Sequence, residues 1–94
     1  MQNVRKSSHS VHQLHVHIVW STKYRYDVLR GDIQVRCREL IRQTCDTLDI
    51  QILKGVVSKD NIHLHVSYPP KLSVSEMLKR LKGRSAKMLL EEYS

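Results

Sequence analysis

From Val11 to Ser21 the chain alternates with a period of two: Leu14, Val16, Ile18 and Trp20 point one way, while His15, His17 and Val19 point the other. That alternation predicts a half-buried β-strand. The spacing then changes to three and four. Asp32 is placed to cap a helix whose stripe runs Ile33, Cys37, Leu40, Ile41, Thr44 and Leu48, the pattern that lines one helical face. Ile50–Ser58 and Ile62–Tyr68 read as two further strands. Lys59, Asp60 and Asn61 lie between them; Asp and Asn favour turns, so the two strands form a hairpin. Pro69 and Pro70 end the third strand. Ser73 with Glu76 three residues on makes a capping box, and Leu72 with Met77 fills the staple positions. The helix that follows is expected to bury Val74, Met77, Leu78, Leu81, Ser85, Met88 and Leu89.

The order strand–helix–strand–strand–helix predicts an α+β domain of the split β-α-β, ferredoxin-like type with an antiparallel sheet. That fold has a fourth strand after the second helix, and here the sequence reaches Tyr93 and Ser94 in or just after that helix. The expectation is one incomplete domain over residues 11–94. Either a sheet edge is open to another chain, or the sequence is a shortened version of a longer protein. Residues 1–10, polar and basic, are expected to be a flexible arm.

Composition narrows the class. A chain of 94 residues has room for one small core. No apolar run approaches the roughly 18 residues that span a bilayer, and no apolar segment follows the polar start, so neither membrane nor secretion is expected and the location is read as cytoplasmic. Cys37 and Cys45, eight apart on the first helix, read as small core residues of a reduced protein rather than a disulfide framework. The formal net charge is +7. The excess is +4 in residues 1–30 (five basic, one acidic) and +3 in residues 61–94 (six basic, three acidic), around a neutral middle. A basic excess placed this way points to nucleic acid, the alternative being a merely soluble basic domain.

Two groups of side chains carry candidate chemistry. On the third strand Asn61, His63, His65 and Ser67 alternate outward while Ile62, Leu64, Val66 and Tyr68 face the core. Two histidines at i and i+2 on one face hold their Cβ atoms about 7 Å apart, within reach of one divalent ion. His15 and His17 make a similar pair on the first strand, which lies beside the third in this fold type. A His-x-His pair is otherwise simply a solvated strand face. Arg80, Arg84 and Lys87 line one face of the second helix with Lys79 and Lys82 nearby; with Lys23 and Arg25 they suit phosphate contacts. Tyr24 and Tyr26, set between basic residues, suit stacking on unpaired bases. The alternative is a solvated helix and two ordinary loop tyrosines. Neither a distinctive Ser/His/Asp arrangement nor a Gly-rich phosphate loop is present.

Several strings together resemble one family. His17-Ile18-Val19-Trp20-Ser21-Thr22-Lys23-Tyr24-Arg25, Gly55-Val56-Val57-Ser58-Lys59-Asp60, His63-Leu64 with Pro69-Pro70, Leu72-Ser73-Val74-Ser75 and Leu81-Lys82-Gly83-Arg84-Ser85 are similar to the insertion-sequence-200-like transposases, of the single-tyrosine HUH class. The resemblance covers about residues 9–94. It implies a ferredoxin-like domain that forms a homodimer and recognises hairpins in single-stranded DNA at transposon ends. It also implies a tyrosine that attacks the phosphodiester, and a divalent metal, Mg²⁺ or Mn²⁺, held by two histidines and a further polar ligand.

Two departures follow from the same alignment. The family string Asp-His-hydrophobic-His falls on Asp60-Asn61-Ile62-His63, so His63 matches the second metal ligand and Asn61 stands where the first histidine belongs. A carboxamide is the weaker ligand for transition metals, and His65 is the candidate substitute. The family's nucleophilic tyrosine lies on a helix after the last strand, to which none of Tyr24, Tyr26, Tyr68 and Tyr93 corresponds. The expected molecule therefore binds DNA through Lys23, Tyr24, Arg25, Arg80, Lys82, Arg84 and Lys87 and does not cut it. Alternatives are a regulator that pairs with a full-length transposase, and a metal-binding domain built on His15, His17, His63 and His65.

Overall fold

The computed structural model describes residues 14–21 and 31–93. They form β1 (Leu14–Ser21), α1 (Gly31–Thr47), β2 (Gln51–Val57), β3 (Asn61–Tyr68) and α2 (Val74–Tyr93), the order the hydrophobic pattern predicts. The sheet has the order β1-β3-β2, and both pairings are antiparallel. β3 is thus the central strand, and both helices cover the same face of the sheet. Ile18 and Trp20 of β1, Val57 of β2 and Ile62, Leu64 and Val66 of β3 meet Ile33, Cys37, Leu40, Ile41 and Cys45 of α1 and Met77, Leu81 and Leu89 of α2 in one core. The expected arm at residues 1–10, the start of the first strand at residues 11–13 and the connection carrying Lys23, Tyr24 and Arg25 lie outside the described residues.

Local signals account for the joints. Ser73 Oγ accepts the Glu76 backbone N–H at 3.1 Å, so the cap read from the sequence is made. The Glu76 carboxylate does not close the box but accepts Arg80 Nε at 2.9 Å. At the end of α1, Asp49 adopts φ 62°, Ile50 N–H reaches Cys45 O at 2.8 Å and Asp49 N–H reaches Asp46 O at 3.3 Å. Those two bonds are a Schellman ending with Asp in the left-handed position where Gly is usual. Ser58 N–H to Asn61 O at 2.8 Å closes the β2–β3 turn.

The helices run antiparallel, with Arg36 of α1 against Glu92 of α2 and Arg84 of α2 against Gln43 of α1. Buried Thr44 and Ser85 each donate to the carbonyl four residues back, at 2.8 and 2.7 Å, which satisfies their hydroxyls inside the core. Cys37 and Cys45 are free and buried; burial pushes their thiols up to about 11 and about 12, which makes them inert packing groups.

Some positions depart from expectation. Asp32 sits inside α1, in its first turn, where its carboxylate meets the positive helix end without being the cap. Ser67, expected to face outward, is 3% exposed because it is a short side chain on the central strand, flanked in register by His15 and Gln51. Leu14 is 40% exposed, being the terminal residue of β1. Val74, Leu78 and Met88 on α2 are half-buried rather than buried, since the inward stripe is the narrower run Met77, Leu81, Ser85 and Leu89. β2 contains an irregularity between Ile52 and Lys54, which leaves Leu53 unpaired and 44% exposed.

Candidate functional site

With the helices on one face, the period of two sends every strand histidine to the other. The register then sorts that open face into rows across the sheet. His17 of β1 stands opposite His65 of β3, which stands opposite Lys54 of β2. One step along, Val19, His63 and Val56 make the next row, and Ser21 opposite Asn61 begins the last. On the other side, His15, Ser67 and Gln51 form a row. A groove of about 440 Å³ crosses the middle of this face, lined by His17, Val19, Lys54, Val56, Ser58, His63 and His65 among others.

The rows give the two β3 histidines different neighbours. His63 is exposed and stands between two exposed valines, Val19 at 58% and Val56 at 46%. His65 is half-buried, with its ring centre 4.3 Å from that of His17 and 5.7 Å from that of His15. Partial burial, then the imidazoles of His17 and His15, hold His65 below the usual histidine value.

Asn61 and His63 share the open face as the i, i+2 pair the sequence predicts. Asn61 Nδ2 donates to Asp60 Oδ1 at 3.2 Å, which leaves the amide oxygen as its available donor. A metal held here has one imidazole and one neutral amide oxygen, and among the described residues no three His, Cys, Asp or Glu side chains converge to hold an ion. His65 lies on the same face one row from His63, as Asn61 does on the other side.

The basic residues of α2 lie on the other layer of the molecule. Arg80, Lys82, Arg84 and Lys87 are all exposed. Arg80, Arg84 and Lys87 follow at i, i+4 and i+7 and form one stripe, whereas Lys82 is roughly 200° around the helix from Arg80. Arg84 Nη2 reaches Gln43 Oε1 at 3.5 Å, so the stripe borders the seam between the helices. Arg36, on the same seam, was not singled out by sequence reasoning, nor was Lys54; charge alone marked both, but only register and helix packing give them neighbours. The structure brings His15, His17 and His65 together and keeps them apart from the α2 cations.

The comparisons with known proteins agree with this architecture. The family model described as "Transposase IS200 like" matches residues 10–94. The chain belongs to the IS200-like transposase family. It is 31% identical over 93 residues to the transposase for insertion sequence element IS200 of Salmonella typhimurium, covering 99% of this chain and 61% of that protein. It is 29% identical over 90 residues to the ISDra2 transposase TnpA of Deinococcus radiodurans, covering 96% of this chain and 64% of that one. A crystal structure of a Deinococcus radiodurans R1 protein described as a transposase superimposes with a TM-score of 0.80 at 26% identity, over 99% of this chain and 69% of that chain. The chain thus spans under two thirds of the length of these curated relatives. Among the described residues no helix is long and apolar enough to cross a membrane.

Proposed function

We propose that these 94 residues bind single-stranded hairpin DNA of the kind found at insertion-sequence ends, and do so without cleaving it. The observation that carries the binding half is the exposed stripe Arg80, Arg84 and Lys87 on α2, in a chain of net charge +7. Guanidinium and ammonium groups at that spacing meet successive phosphates along one strand. Lys23, Tyr24 and Arg25 supply further cations and a stacking ring to the same partner by the family pattern.

The non-cleaving half rests on the tyrosines and the metal ligands. Tyr68 and Tyr93 pack partly buried against the core, and neither stands at the position where the family pattern places its nucleophile. Asn61 offers a neutral amide oxygen where the family pattern has an imidazole, so the donor set beside His63 is not the one that the resemblance implies for the cleavage chemistry. Fluorescence anisotropy with a labelled hairpin oligonucleotide, an unstructured strand of the same length and a blunt duplex tests the reading. The hairpin is expected to bind tightest, and equal affinity for all three would contradict recognition of hairpin DNA.

A second reading, a partner that pairs with itself or with a full-length transposase, is favoured by the edge of β1 that no described strand pairs. Its eight residues contain no charge, proline or bulge, the features by which edge strands avoid pairing. Sedimentation of the chain alone and mixed with a full-length relative tests it; monomers in both cases would remove it.

A further inference from the structure

We infer that His17 and His65 form a two-imidazole chelate for a divalent transition-metal ion of the Ni²⁺ or Cu²⁺ kind, at a place separate from Asn61 and His63. The two residues are directly opposed across the β1–β3 pairing, on the sheet face that no helix covers, and their rings are tilted by 59° with centres 4.3 Å apart. With a metal–nitrogen bond of about 2.1 Å and roughly 1.1 Å more to the ring centre, an ion toward which each ring turns one nitrogen sits about 3.2 Å from both centres, and this spacing then sets a ligand–metal–ligand angle of roughly 85°. That is the angle between neighbouring ligands of an octahedral or square-planar ion, and it is well short of the tetrahedral value. Ni²⁺ and Cu²⁺ favour such geometries and imidazole donors, whereas Mg²⁺ favours oxygen and its own water.

The surroundings support the pair. The groove beside it, about 440 Å³, has room for an ion with its remaining waters, which complete a shell that no third His, Cys, Asp or Glu of the described residues reaches. His15 stands edge-on to His65 at 5.7 Å and is not needed for the chelate. Lys54, on the same row beyond His65, places a cation near the site and so opposes metal binding. His63 is one row away between two valines and has no opposed donor. The inference is independent of whether the chain binds DNA.

Calorimetric titration with NiCl₂ tests it, using the full chain without an added polyhistidine and with His9→Gln and His12→Gln to remove the two histidines outside the described residues. One saturable site is expected. His17→Gln and His65→Gln should each weaken it about tenfold or more, while His63→Gln changes it less than about threefold. Lys54→Met should tighten it. Nitrogen hyperfine structure in the Cu²⁺ electron paramagnetic resonance spectrum counts ligands directly: two imidazole nitrogens in the parent and one in either single variant. Absence of saturable binding, a single nitrogen in the parent, or a loss on His63→Gln that His17→Gln does not share would overturn the assignment.

Discussion

Arg36 near the start of α1 holds Glu92 near the end of α2 through two parallel hydrogen bonds, Nε to Oε1 and Nη2 to Oε2, each 2.8 Å long. The planar guanidinium matches the carboxylate fork, so one pair fixes both the approach and the rotation of the two helix ends. Glu39 accepts a third bond from Arg36 Nη1 at 3.3 Å. The hydrogen bond from Arg36 holds the Glu92 carboxyl below the usual carboxylate range.

Acid should expose this clamp. A carboxyl with a lowered folded-state value stabilises the fold fully above its unfolded value of about 4.3 and loses that contribution as pH falls through the folded one. Glu92→Gln should therefore be less stable than the parent at neutral pH, with the gap closing as pH drops below about 4. Trp20, the sole tryptophan and 6% exposed, reports unfolding by its fluorescence. The gap should also narrow in 1 M NaCl, because both side chains are partly exposed.

At the start of α2 the two halves of the capping box should separate. Ser73→Ala removes the acceptor for the Glu76 N–H and should cost about 1 kcal/mol in urea denaturation. Glu76→Ala removes only an exposed i, i+4 pair with Arg80 and should cost about 0.5 kcal/mol or less.

On β2, Gly55 faces the core side of the sheet. A Cβ there would stand 3.1 Å from Leu64 Cδ2 and 3.6 Å from Ile52 Cγ2. Leu64 is 3% exposed, and its Cδ2 must move by a few tenths of an ångström to admit the new side chain. Gly55→Val should lower stability by about 1–3 kcal/mol, measured by the same denaturation.

Element order, the hairpin and the Ser73 cap were legible in the sequence because each depends on residues within a few positions of one another. The Asn61–His63 pair was readable from the family string. The opposition of His17 to His65 was not, since it depends on the β1–β3 register over a separation of 48 residues, and period two alone says only that both face outward. The Arg36–Glu92 clamp was invisible for the same reason: its partners are 56 residues apart, and one of many surface charges carries no mark of its partner. The split of the predicted α2 cations, Lys82 on one flank and Arg80, Arg84 and Lys87 on the other, follows from helical angle and was available in the spacing.

That split yields a binding prediction. Arg84→Ala with Lys87→Ala should weaken hairpin binding and reduce the slope of log K against log salt by about 1.4, at about 0.7 for each phosphate of a single strand that is no longer neutralised. Lys82→Ala, on the other flank, should change the slope by less than half as much. A change of about 0.7 or more on Lys82→Ala, the value of one full phosphate contact, would place the strand across both flanks and contradict the stripe as the binding surface.

The most direct test of the account is a single labelled hairpin incubated with the chain and Mg²⁺ or Mn²⁺, divided between a native and a denaturing gel. The account predicts a retarded complex on the native gel that weakens with added salt, and on the denaturing gel only intact oligonucleotide. A protein-linked DNA band or a cleaved strand on the denaturing gel would contradict it.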